Sequence, residues 1–163
     1  MKANLNTLSK NLYDLSNLER FQTSPRIHRE TVLEHLAVTT MIVHKLRDDY
    51  IFNELRASRL AIFHDYPEHL LSDIPHPCKK RLPKEFVEMI EDLEIKVIKE
   101  DIDDDTAELL DEFNKKSSVE GLIVALADAY SVILFCFEYR QHLISQDSVV
   151  SVVTRPRAGD FRV

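Results

Sequence analysis

Four side chains, His35, His64, Asp65 and Asp128, are of types that together bind a divalent metal. His35 stands 29 positions before His64, and Asp128 stands 63 positions after Asp65, all in segments with helical patterning. Two neutral imidazoles and two carboxylates make an N₂O₂ donor set of borderline hardness. Such a set suits Mn²⁺, Fe²⁺, Co²⁺ or Zn²⁺ and leaves coordination positions for water and a phosphate oxygen. Those are the requirements of phosphoester hydrolysis.

The elements that must position these residues can be read from local signals. Thr31-Val32-Leu33-Glu34 is a T-x-x-E capping box, which places His35 in the first turn of a helix. His64-Asp65 closes the apolar-periodic run Leu55, Leu60, Ala61, Phe63, and Pro67 disfavours helical geometry at Tyr66, so the pair belongs at a helix end or kink. Asp128 interrupts two apolar runs, Leu122–Ala127 and Ala129–Phe135. A bare carboxylate is very costly to bury. An Arg partner or a wet stripe is the ordinary answer for one such Asp, but beside the H…HD…D set a metal ion is the simpler one. Periodicity gives helices near residues 4–19, 31–48, 53–66, 84–100, 105–115 and 118–142, with Ser117-Ser118-Val119-Glu120 as a second capping box.

The combination His35…His64-Asp65…Asp128 resembles the signature of the HD-domain metal-dependent phosphohydrolases, an all-α superfamily. Three longer stretches are similar to its branch of bacterial 5′-deoxynucleotidases and phage deoxynucleotide phosphohydrolases. They are Arg20-Phe21 with Glu30-Thr31-Val32-Leu33-Glu34-His35, then His64-Asp65-Tyr66-Pro67-Glu68 with Ser72-Asp73-Ile74-Pro75-His76-Pro77-Cys78-Lys79, and Ala127-Asp128-Ala129. Phe21 stands where the bacterial enzymes have Trp, and Ser72 where the branch has Gly. The resemblance implies an all-α single HD-domain bundle over residues 1–145 with a central mononuclear metal site. It implies His35, His64, Asp65 and Asp128 as ligands of one divalent ion (Co, Mn, Zn or Fe, or Mg with a polyphosphate substrate). It implies Glu68 as general acid or base, Arg20 and Lys79 on phosphate charge, Phe21 against the sugar, and Asp73 holding the sugar or its loop. The expected reaction is hydrolysis of the 5′-phosphate of a deoxynucleotide, either a monophosphate or a triphosphate such as dATP. Two other readings are hydrolysis of a second messenger or cyclic nucleotide, and a non-catalytic metal-stabilised interaction module.

Composition agrees with one helical domain: 163 residues, 44% hydrophobic, and two glycines. The net charge of −7 argues against broad nucleic-acid binding and fits a small phosphorylated partner. Asp128 breaks the best candidate for an 18-residue apolar run, and the N-terminus lacks a signal-peptide core, so no membrane segment is expected and a cytoplasmic location is. A homo-oligomer, a dimer or larger, is expected. Cys78 and Cys136 lack metal or disulfide spacing. His44 lies nine residues after His35, about 180° round a helix, and so faces away from the metal. His69 and His76 are not assigned to a second metal, and His28 and His142 carry no signal. Lys80 and Arg81 read as solvated, and Asp101–Asp105 as a turn and helix cap. Residues 146–163 are a tail of undetermined structure.

Overall fold

Side chains that accept the free backbone N–H groups of a first turn set several helix starts. The computed structural model describes residues 5–22 and 29–138. Within them lie α1 (Leu5–Asn17), α2 (Val32–Leu46), α3 (Glu54–Phe63), α4 (Glu68–Leu71), α5 (His76–Lys79), α6 (Lys84–Asp101), α7 (Asp104–Lys115) and α8 (Val119–Glu138). The Thr31 box forms as expected: Glu34 N–H donates to the Thr31 hydroxyl at 3.2 Å, and Thr31 N–H donates to the Glu34 carboxylate at 2.8 Å. Asn53 caps α3, and Asp103 caps α7 by accepting from Thr106 N–H at 2.8 Å.

The second predicted box does not form. Ser118 is the cap, accepting from Gly121 N–H at 3.1 Å, so the position that should complete the box is a glycine with no side chain. Glu120 turns away and accepts from the Asn53 N–H at 2.8 Å, which ties the start of α8 to the start of α3. Gly121 serves close packing instead, since a Cβ there would lie 3.2 Å from Phe113 Cα.

α2, α3 and α8 pack on one another, α7 packs on α3, α6 and α8, and α1 covers α2 and α4. Their shared core contains Leu15, Val32, Leu36, Val43, Leu60, Ile98, Leu110 and Val124, all at most 2% exposed. Each fully buried aliphatic side chain of this kind contributes roughly 1.5–3 kcal/mol. Among the described residues there is no strand, only an isolated antiparallel bridge between Glu19 and Thr31. The all-α expectation therefore holds.

Three expectations change in detail. α3 ends at Phe63 rather than Tyr66, because Pro67 starts a new turn, and α4 and α5 are four-residue helices too short for periodicity to reveal. α8 is more apolar than one interrupting Asp suggests: Val119–Phe137 has mean hydropathy 1.9 and is long and apolar enough to cross a membrane. In this fold it packs against α2, α3 and α7 and carries Asp128 toward α2. The domain limit at residue 145, the tail, His28 and His142 lie outside the described residues.

A buried polar network fixes the chain just after His64-Asp65. Tyr66 is 1% exposed, and its hydroxyl accepts from Asn11 Nδ2 at 2.8 Å. Asn11 also donates to Asp101 at 3.0 Å, and His69 Nε2 lies 3.5 Å from the same carboxylate. With its polar atoms satisfied, this cluster joins α1, α4 and the end of α6 without an orphan penalty.

Candidate metal centre and the residues around it

His35 comes from the first turn of α2, His64 from the C-cap of α3, Asp65 from the turn that follows, and Asp128 from the middle of α8. The structure gathers the other three around His35. Around His35 Nε2, His64 Nε2 lies at 3.3 Å, Asp65 Oδ2 at 3.5 Å and Asp128 Oδ1 at 3.2 Å. His64 Nε2 is also 3.5 Å from Asp65 Oδ2. These are the separations of ligands sharing one ion through bonds of about 2.0–2.2 Å.

The donor set fits a cation on its own chemistry. His64 Nδ1 donates to the Ala61 carbonyl at 2.8 Å. A carbonyl only accepts, so Nδ1 carries the ring hydrogen and Nε2 presents its lone pair. Asp128 is held well below the usual carboxylate range: burial opposes its charge, but His35, 3.2 Å away, and the nearby His64 and Arg20 outweigh it. Asp65 is lowered in the same way, with His64, His35 and Arg20 prevailing over burial. Burial, reinforced by Arg20, pushes His35 down to about 4, so its imidazole is neutral at pH 7. Two carboxylates and the His64 ring nitrogen thus face His35 Nε2, with the Thr39 hydroxyl at 3.5 Å, and a divalent ion would resolve that arrangement. His35, His64 and Asp65 alone keep their ligand atoms within 4.8 Å of one another.

Arg20 and Phe21 occupy a fixed corner beside this cluster. Arg20 N–H donates to the Glu30 carbonyl at 2.8 Å, next to the Glu19–Thr31 bridge. Phe21 has a φ of 56°, a left-handed conformation that costs a non-glycine residue on the order of 1–3 kcal/mol. Its ring stacks on Phe135 of α8 at 5.3 Å, and the Arg20 guanidinium lies over it at 5.3 Å. Burial works against the Arg20 charge, yet the carboxylates of Asp65, Asp128, Glu30 and Glu68 hold its pKa above the usual value. Glu30 is itself pushed up to about 7 by burial, partly offset by Arg20 at 3.7 Å.

Glu68 opens α4. Burial raises its carboxyl to about 10, with Asp65 and Asp73 adding to the shift, and its Oε2 has no hydrogen-bond partner. It is therefore protonated at neutral pH. The Asp73 carboxylate accepts the Phe21 backbone N–H, so it holds the Arg20-Phe21 corner; burial keeps its pKa high. Lys79, at the end of α5, pairs with Glu94 of α6 at 3.4 Å. Sequence reasoning missed Glu94, Phe135 and Ser131, whose hydroxyl lies 3.0 Å from His35 Nδ1. Phe135 and Ser131 lie in an apolar run with no motif of their own, and Glu94 in one of several charged positions of α6. His44 is exposed and pairs with Glu54, away from the cluster, while Lys80 and Arg81 are exposed as expected.

The profile of the HD domain matches residues 14–157. The chain belongs to the HD-domain family. It is 29% identical over 136 residues to a 5′-deoxynucleotidase of Enterobacter sp. strain 638, covering 76% of this chain and 68% of that protein. It is 28% identical over 122 residues to the 5′-deoxynucleotidase YGK1 of Saccharomyces cerevisiae, covering 69% of this chain and 54% of the yeast protein. In fold, this HD-domain protein is similar to a conserved hypothetical protein of Pyrococcus furiosus, with a TM-score of 0.72 and 23% identity over 92% of this chain and 95% of the other. It is also similar to an HD-domain phosphohydrolase of Listeria innocua, with a TM-score of 0.68 and 24% identity over 91% of this chain and 75% of the other.

Proposed function

We propose that this HD-domain protein is a metal-dependent phosphohydrolase that removes the 5′-phosphate of deoxynucleotides. The observation that carries this reading is the gathering of His64, Asp65 and Asp128 around His35 Nε2 beside an arginine-aromatic corner and a protonated Glu68. His35, His64, Asp65 and Asp128 hold one divalent ion. That ion, when bound, polarises a phosphate oxygen and lowers the pKa of a water at the phosphorus.

The chain's own residues supply the rest. Arg20 is charged at every accessible pH and presents a fork of donors to phosphate oxygens. Phe21 forms a wall against the sugar; its stacking on Phe135 and the Asp73 bond to its backbone leave it little freedom to yield to a 2′-hydroxyl. Glu68 holds a proton at neutral pH and delivers it to the leaving 5′ oxygen, as a positioned acid does. Lys79, paired with Glu94, is the cation that would meet the further phosphates of a longer chain. The names of the Enterobacter and yeast relatives support the deoxynucleotide class.

The test is incubation of Co²⁺- or Mn²⁺-loaded protein with dAMP, dATP, AMP, cyclic AMP and an alarmone, with products identified by mass. The expected products are deoxyadenosine plus orthophosphate from dAMP, or deoxyadenosine plus tripolyphosphate from dATP, with AMP turned over more slowly. Cleavage confined to cyclic AMP or the alarmone would overturn the reading, as would accumulation of dADP from dATP.

A further inference from the structure

Ser131 lies one turn beyond Asp128 on α8 and is 1% exposed. Its hydroxyl has two neighbours: it donates to the Asp128 backbone carbonyl at 2.8 Å, and it sits 3.0 Å from His35 Nδ1. A hydroxyl has one hydrogen to give. With that hydrogen on the carbonyl, Oγ meets His35 Nδ1 with a lone pair, and Nδ1 must carry the ring hydrogen. We infer that Ser131 is a positioning residue that locks His35 in its Nδ1–H tautomer and so presents the Nε2 lone pair to the space shared with His64, Asp65 and Asp128.

The need for such a lock follows from what faces the other ring nitrogen. Around Nε2 stand the Asp128 carboxylate at 3.2 Å, the Asp65 carboxylate at 3.5 Å and the lone pair of His64. In the metal-free protein all three would accept a hydrogen from Nε2. Left to these neighbours, His35 would move its hydrogen to Nε2 and bond the Asp128 carboxylate, and the ligand lone pair would then point into the core. Ser131 opposes that move by giving Nδ1–H an acceptor, in a place 0% exposed where no bulk water can substitute. His64 has no such dependence on a side chain, because a backbone carbonyl, that of Ala61, sets its tautomer. The two histidines are thus oriented by different devices, and only the one at His35 can be removed by substitution. Outer partners of this kind orient ligating imidazoles in metal sites generally, and losing one weakens metal affinity by about 10–100-fold.

The consequence for metal affinity rests on the proposed metal centre, but the tautomer does not, since it is read without metal. The experiment uses the full chain, ¹⁵N-labelled at histidine and stripped of metal, with long-range ¹H–¹⁵N correlation spectra at neutral pH. Wild-type His35 is expected to show Nδ1 protonated and Nε2 bare. Ser131→Ala should move the hydrogen to Nε2 and weaken Co²⁺ binding about 10–100-fold by titration, and Ser131→Thr, which keeps the hydroxyl, should restore the wild-type pattern. A wild-type His35 already protonated at Nε2 would overturn the inference without any variant. So would a Ser131→Ala protein with an unchanged tautomer and Co²⁺ affinity. Wild-type protein that binds no Co²⁺ at all would sink the metal-centre reading instead, a separable result.

Discussion

His35, His64, Asp65 and Asp128 project from α2, from the end of α3 and from α8, three helices that pack on one another, whereas Arg20, Phe21, Asp73 and Lys79 stand on a bridge, two turns and a four-residue helix. The first region is held by core side chains at most 2% exposed, such as Leu36, Leu60 and Val124. The second is held by the Phe21–Phe135 ring stack and by scattered polar contacts, among them Asp73 to the Phe21 backbone, Arg20 to Glu30 and Lys79 to Glu94. Backbone strain is also divided unevenly. Of the three non-glycine residues with positive φ among the described residues, Phe21 lies in this second region and Ser72 beside it. On the proposed function, attack at phosphorus would depend on the rigid region and choice among substrates on the strained one, so substitutions should separate cleanly between them.

Glu68 stands at the junction and should show the largest effect of chemistry without ligation. Glu68→Gln should retain its metal and fold yet turn over about 10²–10⁴-fold more slowly, the usual worth of a positioned acid. Turnover at the wild-type rate would remove it from the reaction.

Next in size is the pH response of the metal-free helical region. His35 is neutral in the fold down to about 4, while in the unfolded chain it takes up a proton near 6.5. For this one group the unfolded state binds more protons between those values, so His35 lowers stability as pH falls, while Glu30 and Glu68, raised by burial to about 7 and about 10, act in the opposite direction. The loss should approach roughly 3 kcal/mol for this one buried group. Denaturant unfolding of metal-free wild type and of His35→Gln at pH 7 and pH 4.5 isolates it, as the difference between the two pH responses. Wild type and His35→Gln changing in stability by the same amount between the two pH values would contradict the burial argument.

In the second region the effects should be smaller and should fall on selectivity. Phe21→Ala removes the stacked wall and should narrow the preference for dAMP over AMP by several-fold, for a stacked pair is worth about 0.5–1.5 kcal/mol beyond its area. Metal content should not change. A preference that is unaltered would place the sugar elsewhere.

The smallest expected change is a gain. Ser72 has φ 64° and ψ 158°, a combination that glycine adopts with little cost. Ser72→Gly should therefore stabilise the Asp73 turn by about 1 kcal/mol, read as a higher unfolding midpoint, and a lower midpoint would show that the serine side chain has a compensating partner.

How far the sequence carried follows the same division. His35 was legible because the Thr31–Glu34 box lies within four residues of it, and His64-Asp65 because Pro67 ends the apolar rhythm just beyond. Asp128 was legible as an acid inside an apolar helix. What escaped depends on contacts between distant positions. Ser131 meets His35 across 96 positions and has no local motif, and Glu94 meets Lys79 from another helix. The predicted box at Ser117–Glu120 failed because a shift of one residue in the helix start put Gly121 at the position that Glu120 was expected to fill. α4 and α5, with four residues each, are shorter than the pattern that reveals a helix.

The central claim is that these four side chains form one site for one divalent ion. The most direct measurement is titration of metal-free full-length chain with Co²⁺, followed by absorption and by metal content after desalting, for wild type and His64→Ala. The account predicts one equivalent bound by wild type and none retained by His64→Ala. A His64→Ala protein that still retains a full equivalent, or a wild type that retains none, would contradict it.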